Sequence, residues 1–182
     1  SGGPNNGYIY IVWSNVGVPG TNTGTNISVY MSRSTNGGTS WSTPVRVNQG
    51  PNVAGKEAYF PWISCDPETG VLSVIFYDDR NTTNDSSGVF LARSTDSGNT
   101  WNEYEISDHN FRPTAIGGLG QGYMGDNIDI TSVGNKLFPV WMDNSTGTYQ
   151  IWSVPIEIVN GNVELPPTII EPIIVNEIND DS

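Results

Sequence analysis

Asp78, Asp79 and Arg80 stand together at the end of an apolar run. Two chemistries suit that grouping. The guanidinium can grip a sugar carboxylate or hydroxyl groups while Asp78 or Asp79 orients it, or the three can form a local ion pair that orders a loop. Arg112 is a further candidate cation for the same task. Asp126 and Asp129 are candidate Ca²⁺ ligands, although two carboxylates at this spacing fall short of a complete ligand loop, and they serve equally to bind water or cap backbone N–H groups. Tyr59, Trp62 and Tyr123 offer aromatic faces that stack on sugar rings, and such rings also act as packing wedges. Cys65 and His109 are each the single residue of their type. No intrachain disulfide and no cysteine-based zinc site can form, and Cys65, lying in an apolar run, is expected as a buried thiol.

The elements that carry these residues repeat. Ser34-Thr35-Asn36-Gly37-Gly38-Thr39-Ser40-Trp41 recurs 60 residues later as Ser94-Thr95-Asp96-Ser97-Gly98-Asn99-Thr100-Trp101. Alternating runs that end in Arg-Ser precede both copies, and Tyr8 to Trp13 and Val71 to Asp78 precede those. A third unit starts at Leu137 to Asp143 and continues through Tyr149 to Val154. Tyr59 to Cys65 and Asn127 to Thr131 add a strand ahead of units two and three, with turn residues Asp66-Pro67-Glu68-Thr69-Gly70 and Ser132-Val133-Gly134-Asn135 after them. Four strands per unit, joined as a meander, predict an all-β chain: a β-propeller fragment of about three four-stranded antiparallel blades. The blades run roughly over 8–50, 57–107 and 122–165, within a partial propeller spanning 1–165. Residues 166–182, rich in Pro and Ile, read as an extended arm or linker.

The eight-residue element resembles the Asp box, Ser-x-Asp-x-Gly-x-x-Trp, of sialidases and related proteins. Ser94, Asp96, Gly98 and Trp101 match it, as do Ser34, Asn36, Gly38 and Trp41, with Asn in place of Asp. A side-chain oxygen at the third position accepts backbone N–H bonds within the turn, Gly takes a positive φ, and Trp packs the turn on its blade. These eight residues are therefore assigned a structural role. The likeness covers roughly residues 8 to 155 and is to the C-terminal blades of secreted, sialidase-like propellers. It implies that the turns close the bottom face and that a small-molecule site lies at the top, over the central channel, near the loops at 14–26, 48–58, 78–88, 107–126 and 142–148. Sialidases use three Arg, an Asp acid/base and a Tyr–Glu nucleophile pair. Of the five Arg here, Arg33 and Arg93 precede the turns and Arg46 lies on an outer strand, which leaves Arg80 and Arg112. Phe111-Arg112-Pro113 is one residue short of the family's Phe-Arg-Ile-Pro motif, and it follows the second Asp box instead of opening the propeller.

A formal net charge of -12 argues against nucleic acid and anionic lipid as partners. No apolar stretch is long enough for a membrane-spanning helix. The opening Ser1-Gly2-Gly3-Pro4 has no leader pattern and reads as a processed or excised piece. Unit one starts at its second strand, so a missing inner strand, and the missing blades, are expected from another polypeptide segment: the rest of a precursor, or a second copy. Two functions follow from the resemblance. One is a secreted or cell-surface module that binds glycans or assembles surfaces; the other is part of a sialidase-like exo-glycoside hydrolase acting on sialylated or related acidic glycans.

Overall fold

The computed structural model describes residues 5–21, 23–51, 54–117, 124–125, 127–166 and 172–173. These residues form β-strands and turns, with no helix among them. Tyr123 and Asp126 lie outside the described residues, as does most of the arm.

Blade one contains β1 (Ile9–Val18), β2 (Thr23–Ser34) and β3 (Val45–Arg46), hydrogen-bonded in that order. β1 pairs antiparallel with β2 from Ile9↔Ser34 through Trp13↔Tyr30, and among the described residues nothing pairs with its other edge. Among the described residues this sheet therefore has three strands, with β1 at its edge. Blade two is complete: β4 (Ala58–Cys65), β5 (Leu72–Asp78), β6 (Gly88–Ser94) and β7 (Asn102–Glu105). Asp66 Oδ1 accepts from the backbone N–H groups of Glu68 and Thr69 and so closes the turn between β4 and β5.

Blade three is built from β8 (Asp129–Val133), β9 (Lys136–Asp143), β10 (Gln150–Ser153), β11 (Ile156–Val159), β12 (Asn162–Glu164) and β13 (Pro172–Ile173). The register decides which segment forms its outer strand. The pairs Ser153↔Val140 and Ile156↔Leu137 belong to one register, so β10 and β11 are a single third strand interrupted at Val154-Pro155. Proline has no N–H to contribute to the ladder, which accounts for the break. Ile156 to Ile158 is therefore not the outer strand. That place is taken after the Asn160-Gly161 turn by β12, which pairs with β11, and by β13, which pairs with β10. Both turn residues have positive φ, as a two-residue type I′ hairpin requires.

The blades stack face to face, and β5, buried along its length, shows why Val74 to Tyr77 are all apolar or aromatic. Leu72, Val74 and Phe76 pack toward blade one, against Val29, Met31 and Val47. Ile75 and Tyr77 pack toward blade three, against Ile130, Leu137 and Trp141. A strand covered on both faces has no polar side to present. Each large side chain buried in this way contributes about 1.5–3 kcal/mol. Polar bonds cross the same junctions: Arg33 Nη1 donates to Ser97 O at 2.6 Å, and Tyr77 Oη donates to Met142 O at 2.8 Å.

The repeated turns are hydrogen-bonded in the same way. Ser94 Oγ accepts from Gly98 N, and Asp96 Oδ1 accepts from Asn99 N and Thr100 N. In blade one Ser34 Oγ accepts from Gly38 N, and Asn36 Oδ1 accepts from Ser40 N. Gly98, at φ +85°, sits in a conformation that side-chain-bearing residues rarely adopt, and a Cβ there would also push Met31 Cε aside from 1.9 Å. One expectation is corrected: Cys65 is exposed. It ends the innermost strand, where the turn leaves its side chain uncovered.

Candidate functional site

Trp62 owes its direction to an irregularity in β4. Tyr59 pairs with Tyr77, but Trp62 pairs with Ile75, so one extra residue is accommodated between them. Phe60 sits there at φ +50°, a left-handed conformation that is unfavourable for a bulky side chain. In a strand, a slip of one residue turns every later side chain to the opposite face. Without the bulge Trp62 would lie opposite Val74, on the blade-one side. With it, Trp62 lies opposite Ile75, on the blade-three side. Phe60 is held by edge-to-face contacts with Tyr59 and Tyr77 and by its N–H bond to Ser14 Oγ.

Trp62 thereby enters a cleft of about 590 Å³ next to the inner strand of blade three. Its indole is half exposed, at 50%. Asn127 and Asp129 bring polar groups to the cleft, and Val140, Met142 and Ile151 form an apolar wall. Asp129 Oδ1 accepts from Ile130 N at 2.6 Å, so the backbone fixes the carboxylate at the start of β8. A flat ring next to an acceptor and an amide can stack on a sugar and bond its hydroxyl groups.

The other sequence candidates are placed differently. Arg80 lies under the surface of blade two, where its guanidinium bonds Asp78 and Glu103 and rests 4.5 Å above the centre of the Phe90 ring. Burial opposes its charge, but the two carboxylates outweigh that and hold its pKa above the ordinary arginine value. Asp79 Oδ1 accepts from Glu57 N and orders the neighbouring loop. Arg112 is exposed and pairs with exposed Asp85 at 3.0 Å. Tyr59 donates or accepts a 2.7 Å bond with Ser87 Oγ, and its pKa is pushed up to about 12, chiefly by burial. No group of three or more His, Cys, Asp or Glu side chains that could hold a metal converges among the described residues. Asp126, the candidate partner of Asp129, lies outside them.

A second polar cluster went unnoticed in the sequence. His109 bridges Asp108 at 2.6 Å and Asp143 at 3.0 Å, with its ring 4.6 Å from that of Trp152. Buried Asp143 also accepts from Trp141 Nε1, Ser145 N and Ser145 Oγ. Burial opposes protonation of His109, but the two carboxylates raise its pKa above the usual histidine value. The signal available in the sequence was the repeat itself. Asn15, Asp78 and Asp143 each stand two residues after Trp13, Phe76 and Trp141. Asp78 and Asp143 each bond the loop that leaves the second strand, through Arg80 N and Ser145 N.

No family model matches this sequence, and no curated protein matches it. Among solved structures, the chain is similar to Zg3597, a family 117 glycoside hydrolase produced by the marine bacterium Zobellia galactanivorans. The two are 12% identical with a TM-score of 0.51, over 90% of this chain and 52% of the hydrolase. The Bombyx mori GH32 β-fructofuranosidase BmSUC1 is 15% identical with a TM-score of 0.38, over 91% of this chain and 35% of that one. A sucrose complex of a mutant of the same enzyme is 15% identical with a TM-score of 0.39, over 92% and 35%. The first likeness is one of fold: the chain is an all-β segment of a β-propeller. It spans about half the length of the hydrolase.

Proposed function

We propose that this chain is a secreted or cell-surface Asp-box propeller segment that binds glycans, in a ring completed by another polypeptide segment. The observation that carries the reading is Trp62, turned by a strained bulge into a cleft that also holds Asn127 and Asp129. Backbone strain of this kind costs on the order of 1–3 kcal/mol and persists where surrounding packing over-determines it, often at ligand sites. The turn chemistry of Ser94 to Trp101 supports the Asp-box assignment, and the low charged content with a formal net of -12 supports an extracellular setting.

The cleft chemistry favours neutral, hydroxyl-rich sugars. Among the described residues no arginine lines it, and the one charged lining side chain is the carboxylate of Asp129. An acid-specific, sialidase-like hydrolase would need a cluster of arginines facing the substrate carboxylate. Arg80 and Arg33 are engaged within and between blades, and Arg112 is paired on an exposed loop. The test is a glycan-binding screen followed by titration of tryptophan fluorescence with neutral and sialylated oligosaccharides. Neutral sugars are expected to quench and shift the emission. Trp62→Ala is expected to weaken binding by about fivefold or more, because a stacking ring contributes about 1 kcal/mol or more. Equal binding by the variant, or binding of sialylated sugars alone, would refute the reading.

A further inference from the structure

The hairpin of blade one falls out of step near its tip. Val16 pairs with Ile27 and Val18 with Thr23, so Gly24, Thr25 and Asn26 of β2 stand opposite Gly17 alone. The strands come close there: Gly17 has φ +69°, and a Cβ on it would overlap Thr23 O. Asn26 Oδ1 accepts from Gly55 N at 3.2 Å and so ties the surplus residues to the loop between β3 and β4. A pocket of about 430 Å³ lies beside this irregularity, with Gly17, Gly24, Thr25, Ser28, Tyr30 and Arg46 in its wall. Among the described residues it shares no lining residue with the Trp62 cleft.

Arg46 is the one charged side chain among the described lining residues. Its Nε donates to Asn48 Oδ1 and its Nη2 to Gly50 O, both at 3.3 Å. Buried Asn48 is itself held by the N–H of Val29 at 2.9 Å. Both acceptors are neutral, so they orient the guanidinium without pairing its charge. Arg80 and Arg112 bond carboxylates, but among the described residues Arg46 has no carboxylate partner. In a chain of net charge -12 that is a cation kept apart from abundant acids. The repeat sharpens the contrast. Trp13↔Tyr30 stands where Phe76↔Phe90 stands, and Tyr30 pairs with Arg46 as Phe90 pairs with Glu105. Blade two thus carries a carboxylate at this place, which accepts from Asn81 Nδ2 at 2.7 Å. Blade one reverses the sign and has a pocket beside it.

We infer that this pocket is a second sugar-binding site, and that it takes a sugar unit carrying a negatively charged oxygen group, either a sulfate ester or a carboxylate. A guanidinium offers such a group N–H donors in a fixed planar fork, and Nη1 of Arg46 has no partner among the described residues. Thr25, Ser28 and Tyr30 bring hydroxyl groups to the wall, and each can donate to or accept from the hydroxyl groups of the sugar. The volume is that of a small-molecule site. The two sites differ in the charge they present. The Trp62 cleft has an indole and a carboxylate, whereas this pocket has a cation among hydroxyl groups. The inference goes beyond the reading of the Trp62 cleft and does not depend on what that cleft binds.

Nuclear magnetic resonance titration of the isotope-labelled chain tests it, with glucose 6-sulfate, glucuronic acid, glucose and sodium sulfate as probes. The backbone amides of Gly24, Thr25 and Ser28 report on the pocket wall. A charged sugar is expected to shift them saturably, and the one that saturates first identifies the oxygen group. Glucose is expected to bind more weakly by on the order of tenfold, because a hydrogen bond to a charged group contributes that much to affinity. Arg46→Gln is expected to remove the preference for charge, and Arg46→Lys to keep part of it, since a point charge remains without the planar fork. Trp62→Ala is expected to leave these shifts unchanged, which separates this pocket from the cleft. Glucose binding as tightly as the charged sugars, or no saturable shift with either charged sugar, would overturn the inference on the unmodified chain, whatever the variants do. So would Arg46→Gln binding the charged sugars undiminished, or Trp62→Ala losing the shifts. Sodium sulfate saturating at the same concentration as glucose 6-sulfate would overturn the assignment of a sugar, because the hydroxyl groups of the wall would then contribute nothing.

Discussion

Asp96 and Asn36 solve the same problem with different groups. Each presents one oxygen to a backbone N–H of its turn, from Thr100 and Ser40 respectively. Asp96 does more, because its second oxygen accepts from Thr100 Oγ1 at 2.7 Å. Burial disfavours its charge, yet the bonds from Thr100, Ser94 and Asn99 outweigh burial and lower its pKa from 3.8 to about 2. A carboxylate with a depressed folded pKa stabilises the fold above its ordinary value, and that contribution is lost as pH falls toward the folded value. Acid unfolding should therefore draw on Asp96 between about pH 4 and pH 2. Urea midpoints measured at stepped pH check this. Asp96→Asn is expected to be less stable than the unmodified chain at pH 7 and to lose less stability on acidification; identical acid limbs would refute the assignment.

At the scale of the strand, what matters is which groups clasp neighbouring elements. Arg80 follows β5 and reaches Glu103 on β7, passing over Phe90 on the strand between them. One guanidinium thus ties the second strand of the blade to the fourth. Its backbone surroundings are close as well: a Cβ on Gly50 would lie 2.5 Å from the guanidinium carbon. Removing a single member of such a group leaves buried charge without compensation. Arg80→Ala is expected to cost about 3–5 kcal/mol. Chemical denaturation measures it, and a loss under about 1 kcal/mol would mean that water already screens the pair. The bulge in β4 is the other device at this scale. It spends strain on one residue, Phe60, and thereby changes the face that Trp62 serves.

For the whole molecule, position in the stack decides what a repeated residue does. Trp41 and Trp101 end equivalent turns, but Trp41 is 43% exposed and Trp101 is 7% exposed. Trp101 packs among Met31, Leu72 and Ala92, at the junction with blade one. Trp41 has no preceding blade to meet. Trp101→Ala is expected to cost about 3–5 kcal/mol, as large-to-small changes in a core do. Trp41→Ala is expected to cost under about 1 kcal/mol, like a surface change. Thermal denaturation of the two variants compares them, and equal losses would show that Trp41 has a packing partner.

The sequence by itself determined the strand order, the four-strand period and the chemistry of the turns. These are local: alternating runs, positive-φ glycines and side-chain oxygens that reach N–H groups three or four residues away. Only the tertiary structure decided which candidates share a site. Arg80 and Trp62 are both plausible sugar contacts by type, but a guanidinium among two carboxylates is spent, and an indole re-aimed by one extra residue is free. His109 and Asp143 lie 34 residues apart and meet only because the loop after β7 folds onto the end of β9. Pro155 breaks the ladder of blade three's third strand without ending the strand, which only the register shows. Register, burial and charge pairing are properties of elements in contact, and the sequence encodes the elements before it encodes their contacts.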